Sequence, residues 1–232
     1  MKKIKKKNQL IASYVNNELI GKKRGRLCYS NYINALISVK EFMGENCKIY
    51  VEIGTLWGGT ICTLLSLNDS KTTYIGVDLF SGYYGKELTK QSIKKYKSKS
   101  LKKEYEKIGC TNINKNTHLN FTKNTIKLFN KNNNDIYLIQ GSSYDDHTVE
   151  KVKKICKNID LLFIDGDHSE EGVKKDFFKY YNLVSRNGII FFDNYGDPGW
   201  TGVKKGVDSI ELEKYGFKTV TTVGYSLIIL KK

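Results

Sequence analysis

The residues best suited to chemistry in this 232-residue chain are acidic and end apolar runs: Phe163-Ile164-Asp165-Gly166-Asp167-His168 and Phe191-Phe192-Asp193-Asn194. If the two runs are neighbouring strands, Asp165, Asp193 and Asn194 converge at one edge. Three oxygen donors suit a hard divalent cation, and magnesium, which keeps positions open for water or substrate, is the natural choice. A cation on an alcohol lowers its pKa and fixes its orientation, so a poor nucleophile becomes usable. His168, three residues past Asp165, is close enough to act as general base. Strand-end hydration and helix capping are the plainer uses of the same aspartates.

A second constellation is Glu52-Ile53-Gly54-Thr55-Leu56-Trp57-Gly58, followed by Gly59-Thr60. Gly54 and Gly58 allow torsions and close approaches that a Cβ would block. Gly59-Thr60 opens a helix whose free N–H groups favour an anion such as an amino-acid carboxylate. The spacing is not the G-x-G-x-x-G of a dinucleotide turn, and Glu52 inside the strand end suits a sulfonium or an amino group better than a pyrophosphate. Asp78 ends the next apolar run, at the distance expected of a ribose-binding acid. Gly141-Ser142-Ser143 follows the third run and would meet an adenine on the same rim. The plainer reading is a tight turn at Gly54 and Gly58 and a loop cap at Asp78.

These residues need a parallel sheet to bring them together. Lys48–Ile53, Thr73–Val77, Asp135–Gln140, Asp160–Ile164 and Gly188–Phe192 are short runs rich in Ile, Val, Tyr and Phe, which predict five buried strands. Helical patterns at Tyr29–Met43, Gly59–Leu67, Asp145–Cys156 and Ser169–Val184 put helices between or before them. Phe217–Val223 and Tyr225–Leu230, separated by little more than Gly224, predict an antiparallel hairpin closing the sheet. The expectation is an α/β, Rossmann-like doubly wound fold: a seven-stranded, mostly parallel sheet with helices on both faces. Residues 1–232 read as one domain, with 1–47 a helical N-terminal extension and 81–134 an insertion or lid, too long for an ordinary crossover.

Composition bounds the partners. The net charge of +15 admits a nucleic acid, and an RNA-binding protein or RNA methyltransferase is the alternative it favours. Yet the excess is lysine; Arg24, Arg26 and Arg186 are the only arginines, and phosphate and base recognition favours the guanidinium fork. A Lys/Asn bias spread over the whole chain resembles the coding habit of an AT-rich genome. No run is long and apolar enough to predict a membrane span, and the basic start lacks the apolar block of a signal peptide. The five cysteines, Cys28, Cys47, Cys62, Cys110 and Cys156, form no C-x-x-C pair, which agrees with a reducing, cytoplasmic setting. Nothing in the sequence fixes whether the chain forms a homo-oligomer.

The segments Val51–Gly59, Tyr74–Asp78, Asp160–His168 and Gly188–Asn194 resemble the motifs of metal-dependent class I S-adenosylmethionine (SAM) O-methyltransferases, among them the catechol and caffeoyl-CoA enzymes. Ile164–Ser169, Gly172–Asp176 and Trp200–Lys204 look closer to the methyltransferase 24, cephalosporin hydroxylase-like and sugar O-methyltransferase branch. The resemblance implies that Glu52, Gly54, Thr55, Gly58, Thr60, Asp78, Ser143 and Asp165 meet SAM and that Asp165, Asp193 and Asn194 hold Mg2+. It places His168 in the base position, where the plant and catechol enzymes have lysine, so Asp165 is a second candidate for the proton. Two open positions on the metal suit a vicinal diol, with a sugar favoured and a catechol or phenol as the alternative. Trp57, Tyr83, Tyr84, Tyr195 and Trp200 are candidates to line a slot for it.

Overall fold

The computed structural model describes residues 2–21, 31–67, 71–80 and 115–232. Two helices lead, α1 (Lys2–Gly21) and α2 (Asn31–Met43), followed by β1 (Ile49–Ile53), α3 (Gly59–Leu65) and β2 (Thr73–Asp78). Next come α4 (Lys115–Phe129), β3 (Ile136–Gln140), α5 (Asp146–Ile155), β4 (Ile159–Ile164) and α6 (Glu170–Tyr180). The chain ends with β5 (Val184–Phe192), α7 (Thr201–Asp208), β6 (Phe217–Val223) and β7 (Ser226–Lys231). The seven strands form one sheet in the order β3-β2-β1-β4-β5-β7-β6. Pairings among β1 to β5 are parallel, and β7 runs antiparallel between β5 and β6. The five predicted strands and the closing hairpin are all present.

The strands alternate in the way a sheet covered on both faces requires. Tyr50, Tyr74, Leu161, Phe163, Ile189 and Phe191 face a core shared with α1, α2, α3 and α4. Val51, Ile53, Ile75, Val77, Leu162, Ile164, Ile190 and Phe192 face a second core shared with α5, α6 and α7. α1 docks through Ala12, Val15 and Leu19, all fully buried. Each large side chain buried this way contributes roughly 1.5–3 kcal/mol. The exposed Lys7–Glu41 ion pair at 2.7 Å, worth roughly 0–1 kcal/mol, is secondary in that contact.

The predicted helix at Ser169–Val184 is shorter: Ser169 caps it by accepting from the Gly172 N–H, it ends at Tyr180, and a 3-10 turn at Tyr181–Leu183 follows. β5 then starts at Val184 rather than Gly188, because the Ile159–Val184 pair bonds ahead of a register irregularity and left-handed Asn187. Of the predicted insertion 81–134, residues 81–114 lie outside the described residues. Residues 115–129 form α4, which packs on α3 and on the glycine turn. Among the described residues, no helix is long and apolar enough to cross a membrane.

Candidate functional site

Four backbone bonds past the strand ends line up the rim: Gly141 N to Asp78 O, Gly54 N to Val77 O, Asp165 N to Ile53 O, and Asp193 N to Ile164 O. They place the turns after β3, β2, β1, β4 and β5 side by side, so the two constellations of the sequence share one crevice. Gly54 is where the fit is tightest: a Cβ there would lie 2.0 Å from the Asp165 carbonyl oxygen.

Beneath the glycine turn, Glu52 is buried and accepts a 2.7 Å hydrogen bond from the Tyr50 hydroxyl. Burial pushes its carboxyl well above the ordinary range; the Tyr50 bond opposes this, and the charges of Asp165 and Asp78 add to it. Asp78 is also raised by burial, against the pull of two backbone amides and with a further push from Asp165. Its Oδ2 accepts from Leu56 N at 2.8 Å and its Oδ1 from Phe80 N at 2.6 Å. Both donors belong to left-handed residues that are not glycine, Leu56 at φ +46° and Phe80 at φ +45°. Each such conformation costs on the order of 1–3 kcal/mol and persists only where the surroundings hold it.

What holds them is α4. The Leu56 carbonyl accepts from His118 Nε2 at 3.0 Å and from Thr122 Oγ1 at 3.1 Å. The His118 ring lies against Trp57, 4.1 Å between centroids, and meets Phe80 edge-on at 5.6 Å. Burial lowers the His118 pKa to about 4, so the imidazole is neutral and Nε2 carries its proton. Thr55 is buried with its hydroxyl unpaired, and the Thr60 hydroxyl pairs with that of Tyr32 at 3.2 Å.

At the ends of β4 and β5, His168 Nε2 lies 3.1 Å from Asp165 Oδ1, the two side chains 15% and 23% exposed. Burial raises Asp165, with His168 opposing; burial and then the Asp165 charge push Asp193 up to about 7. For His168 burial acts downward, but the hydrogen bond to Asp165 and the fields of Asp165, Asp193 and Asp167 outweigh it and the pKa is raised. His168 thus holds a proton more firmly than a free imidazole does, and to act as a base it must be released from the pull of Asp165 and Asp193. Ser226 donates to Asp193 Oδ1 at 2.8 Å.

The remaining predicted residues divide. Asn194, left-handed at φ +57°, directs its Nδ2 toward Asp197 Oδ2 at 3.4 Å, which leaves its side-chain oxygen as the possible donor. Among the described residues, no group of three or more His, Cys, Asp or Glu side chains is placed to hold a metal; the Asp165, Asp193 and Asn194 set contains only two such side chains, both aspartates. Ser143, in the turn after β3, is near enough to the buried Asp176 carboxyl to favour its ionised form. Trp57 is not a wall of any slot: it is 3% exposed, packed between His118 and Phe121. Trp200 does border the crevice, 39% exposed with its ring 4.5 Å from that of His168. It is held there because α7 packs tightly on the start of α6, where a Cβ on Gly202 would lie 2.8 Å from the His168 carbonyl. Tyr195 bonds Asp208 at 2.6 Å and Lys204 at 3.0 Å, and Tyr83 and Tyr84 lie outside the described residues.

Sequence reasoning missed His118, Thr122 and Ser226, and also the 3.0 Å bond from the Tyr144 hydroxyl to Asp167 that bridges the turns after β3 and β4. Nothing in a Lys/Asn-rich helix marks His118. Leucine gives no hint of a left-handed backbone at position 56.

A parallel sheet that reverses its order at β1 and β4 and ends in an antiparallel pair, with an acidic crevice at the switch point, defines a class I SAM-dependent methyltransferase. The chain belongs to a family described as "Methyltransferase domain" (methyltransferase 24), whose profile matches residues 51–195, more than half of its length. It is 28% identical to an uncharacterized protein of Acanthamoeba polyphaga mimivirus, over 88% of this chain and 77% of that protein. Among solved structures it resembles an O-methyltransferase from Bacillus cereus in complex with S-adenosylhomocysteine (SAH), with TM-score 0.60, 14% identity, 96% of this chain and 91% of that one. It also resembles the O-methyltransferase NovP, with TM-score 0.60, 13% identity, 97% of this chain and 99% of that one. A third, the SAH-bound Podospora anserina methyltransferase PaMTH1, matches with TM-score 0.57, 15% identity, 97% of this chain and 95% of that one.

Proposed function

We propose that the chain transfers a methyl group from SAM to one hydroxyl of a vicinal diol, with a sugar, free, nucleotide-linked or within a glycan, as the favoured acceptor. The observation that carries the proposal is the field of the crevice: Glu52, Asp78, Asp165 and Asp193 are all raised by burial, and Asp165 raises each of the other three further. In a chain of net charge +15 this concentrated acidity needs a local cationic ligand. The sulfonium and ammonium of SAM supply one. Gly54, Thr55 and Gly58 would admit the cofactor backbone, Gly59 and Thr60 would receive its carboxylate, Asp78 its ribose and the Ser143 turn its adenine.

Asp165, Asp193 and Asn194 would hold a divalent cation, Mg2+, and the donor set fits it chemically, since two buried carboxylates in each other's field are relieved by a positive charge. When bound, the cation would lower the pKa of the acceptor hydroxyl. His168 would take that proton once its bond to Asp165 loosens, and Asp165 itself is the second candidate. Trp200 would cover one face of the acceptor beside His168, which suits a sugar ring and also favours the second reading, a catechol or phenol. A methyl-transfer screen over diol sugars, nucleotide sugars and catechols, with Mg2+ and with excess chelator, tests both. Transfer that survives chelator and Asp193→Ala would reject the metal.

A further inference from the structure

We infer that His118 is a positioning residue for the cofactor: from α4 it fixes the left-handed Leu56 peptide and so aims the Asp78 carboxylate into the crevice. The inference rests on the reading that the turn after β1 holds SAM. The Leu56 peptide is gripped at both ends, its N–H by Asp78 Oδ2 at 2.8 Å and its carbonyl by His118 Nε2 at 3.0 Å and Thr122 Oγ1 at 3.1 Å. The same imidazole meets the ring of Phe80, the other left-handed residue, whose N–H holds Asp78 Oδ1 at 2.6 Å. One side chain therefore touches both strained residues that between them orient a single carboxylate.

A packing role alone would not require this. A phenylalanine or an aliphatic side chain could fill the space between Trp57 and Phe80, but neither could donate to the Leu56 carbonyl. Without that donor, the carbonyl would be left with the Thr122 hydroxyl alone, and the hold on the left-handed Leu56 conformation that aims its N–H at Asp78 would weaken. Asp78 would remain in the crevice but with its oxygens redirected. The neutral state of the imidazole suits the task, because a fixed proton on Nε2 gives the same hydrogen bond at every working pH.

The test is calorimetric titration of SAM and SAH into the full chain and four variants: Asp78→Ala, His118→Ala, His118→Gln and Thr122→Val. Wild type and Asp78→Ala examine the underlying reading. His118→Ala is expected to weaken SAH binding at least tenfold. His118→Gln, whose side-chain N–H can reach the Leu56 carbonyl but which lacks the ring, should recover to within about threefold of wild type. Thr122→Val, which removes the second donor at nearly constant volume, should weaken binding a few-fold. Circular dichroism and thermal melting establish that each variant is folded, and if His118→Ala does not fold, the Gln and Val variants decide. Equal losses in the Ala and Gln variants would mean that ring packing matters and the bond does not, and would overturn the inference. So would a folded His118→Ala variant that binds within twofold of wild type or, where His118→Ala does not fold, a Thr122→Val variant that binds within twofold or a His118→Gln variant that loses tenfold or more. If Asp78→Ala weakens binding and the His118 variants do not, the inference fails alone; if wild type binds neither ligand, the reading of the turn fails with it.

Discussion

His168 and Asp165 are joined by a 3.1 Å hydrogen bond across three residues of the turn after β4, with Asp193 near enough to add its field. The bond makes the imidazole a better base by ordinary measures and a worse one in place, because it keeps its proton. In NMR titration of metal-free protein, the His168 midpoint is expected above the ordinary value of 6.5, despite burial. Asp165→Asn should bring it down, since the Asp165 charge that raises it is then lost, and added Mg2+ should do the same by competing for the carboxylates. With Mg2+ present, kcat/KM should rise with pH through the lowered midpoint, and His168→Ala should flatten that limb. A His168 midpoint at or below 6.5 in the metal-free protein sinks this account.

Ser226 offers a test of the metal that leaves the proposed ligands in place. Its hydroxyl donates to Asp193 Oδ1 at 2.8 Å and offsets part of the burial that raises Asp193. Outer partners of this sort are typically worth about 10–100-fold in metal affinity. Ser226→Ala should therefore raise the Mg2+ concentration for half-maximal activity by about that factor while SAH affinity stays unchanged. An unchanged Mg2+ requirement would separate Asp193 from the cation.

The sheet and its rim are legible in the sequence because short, nearly continuous apolar runs followed by Gly54, Asp78, Gly141, Asp165 and Asp193 leave few ways to build a parallel sheet. The facing of Tyr50 and Val51 to opposite cores follows from the alternation of side chains along a strand. What stayed hidden depends on tertiary contacts that composition does not record. Trp57 reads as a candidate to line a substrate slot until α4 is seen to cover it. Ser143 reads as an adenine contact, and nothing in the sequence brings the buried Asp176 carboxyl near its hydroxyl. Leu56 and Phe80 are left-handed against their own propensity, and only the bonds to Asp78 and the contacts with His118 explain why.

Gly54 gives a stability prediction in which clash and conformation can be separated. It has φ +91° and a Cβ would lie 2.0 Å from the Asp165 carbonyl oxygen, which is backbone in a buried ladder and cannot move aside. Gly216, at φ +80° with nothing within 4 Å of a Cβ, carries the conformational term without the clash. Gly216→Ala should cost about 1–2 kcal/mol. Gly54→Ala should cost about 3 kcal/mol or more, measured by urea denaturation, because overpacking against rigid backbone adds to the same strain. Equal costs would show that the two turns are not as closely packed as the geometry requires.

Asp176 gives a pH dependence with a definite sign. It is fully buried on α6 and neither oxygen has a well-formed hydrogen bond, although the Ser143 hydroxyl is near enough to favour the ionised form. Burial, partly offset by Ser143 and aided by the Asp167 charge, pushes it up to about 7 from an ordinary 3.8. Between those values the folded chain holds a proton that the unfolded chain has lost, so stability falls as pH rises, by at most ~1.4 kcal/mol per pH unit. Asp176→Asn removes that dependence and offers an N–H to the buried, unpaired Tyr180 hydroxyl. The variant should match wild type within error near pH 4 and be the more stable of the two at pH 8. Asp193, which titrates over the same range, is present in both proteins and cancels in the difference. Chemical denaturation at the two pH values decides: stability curves that stay parallel from acid to alkaline pH would mean that Asp176 is already satisfied in the fold.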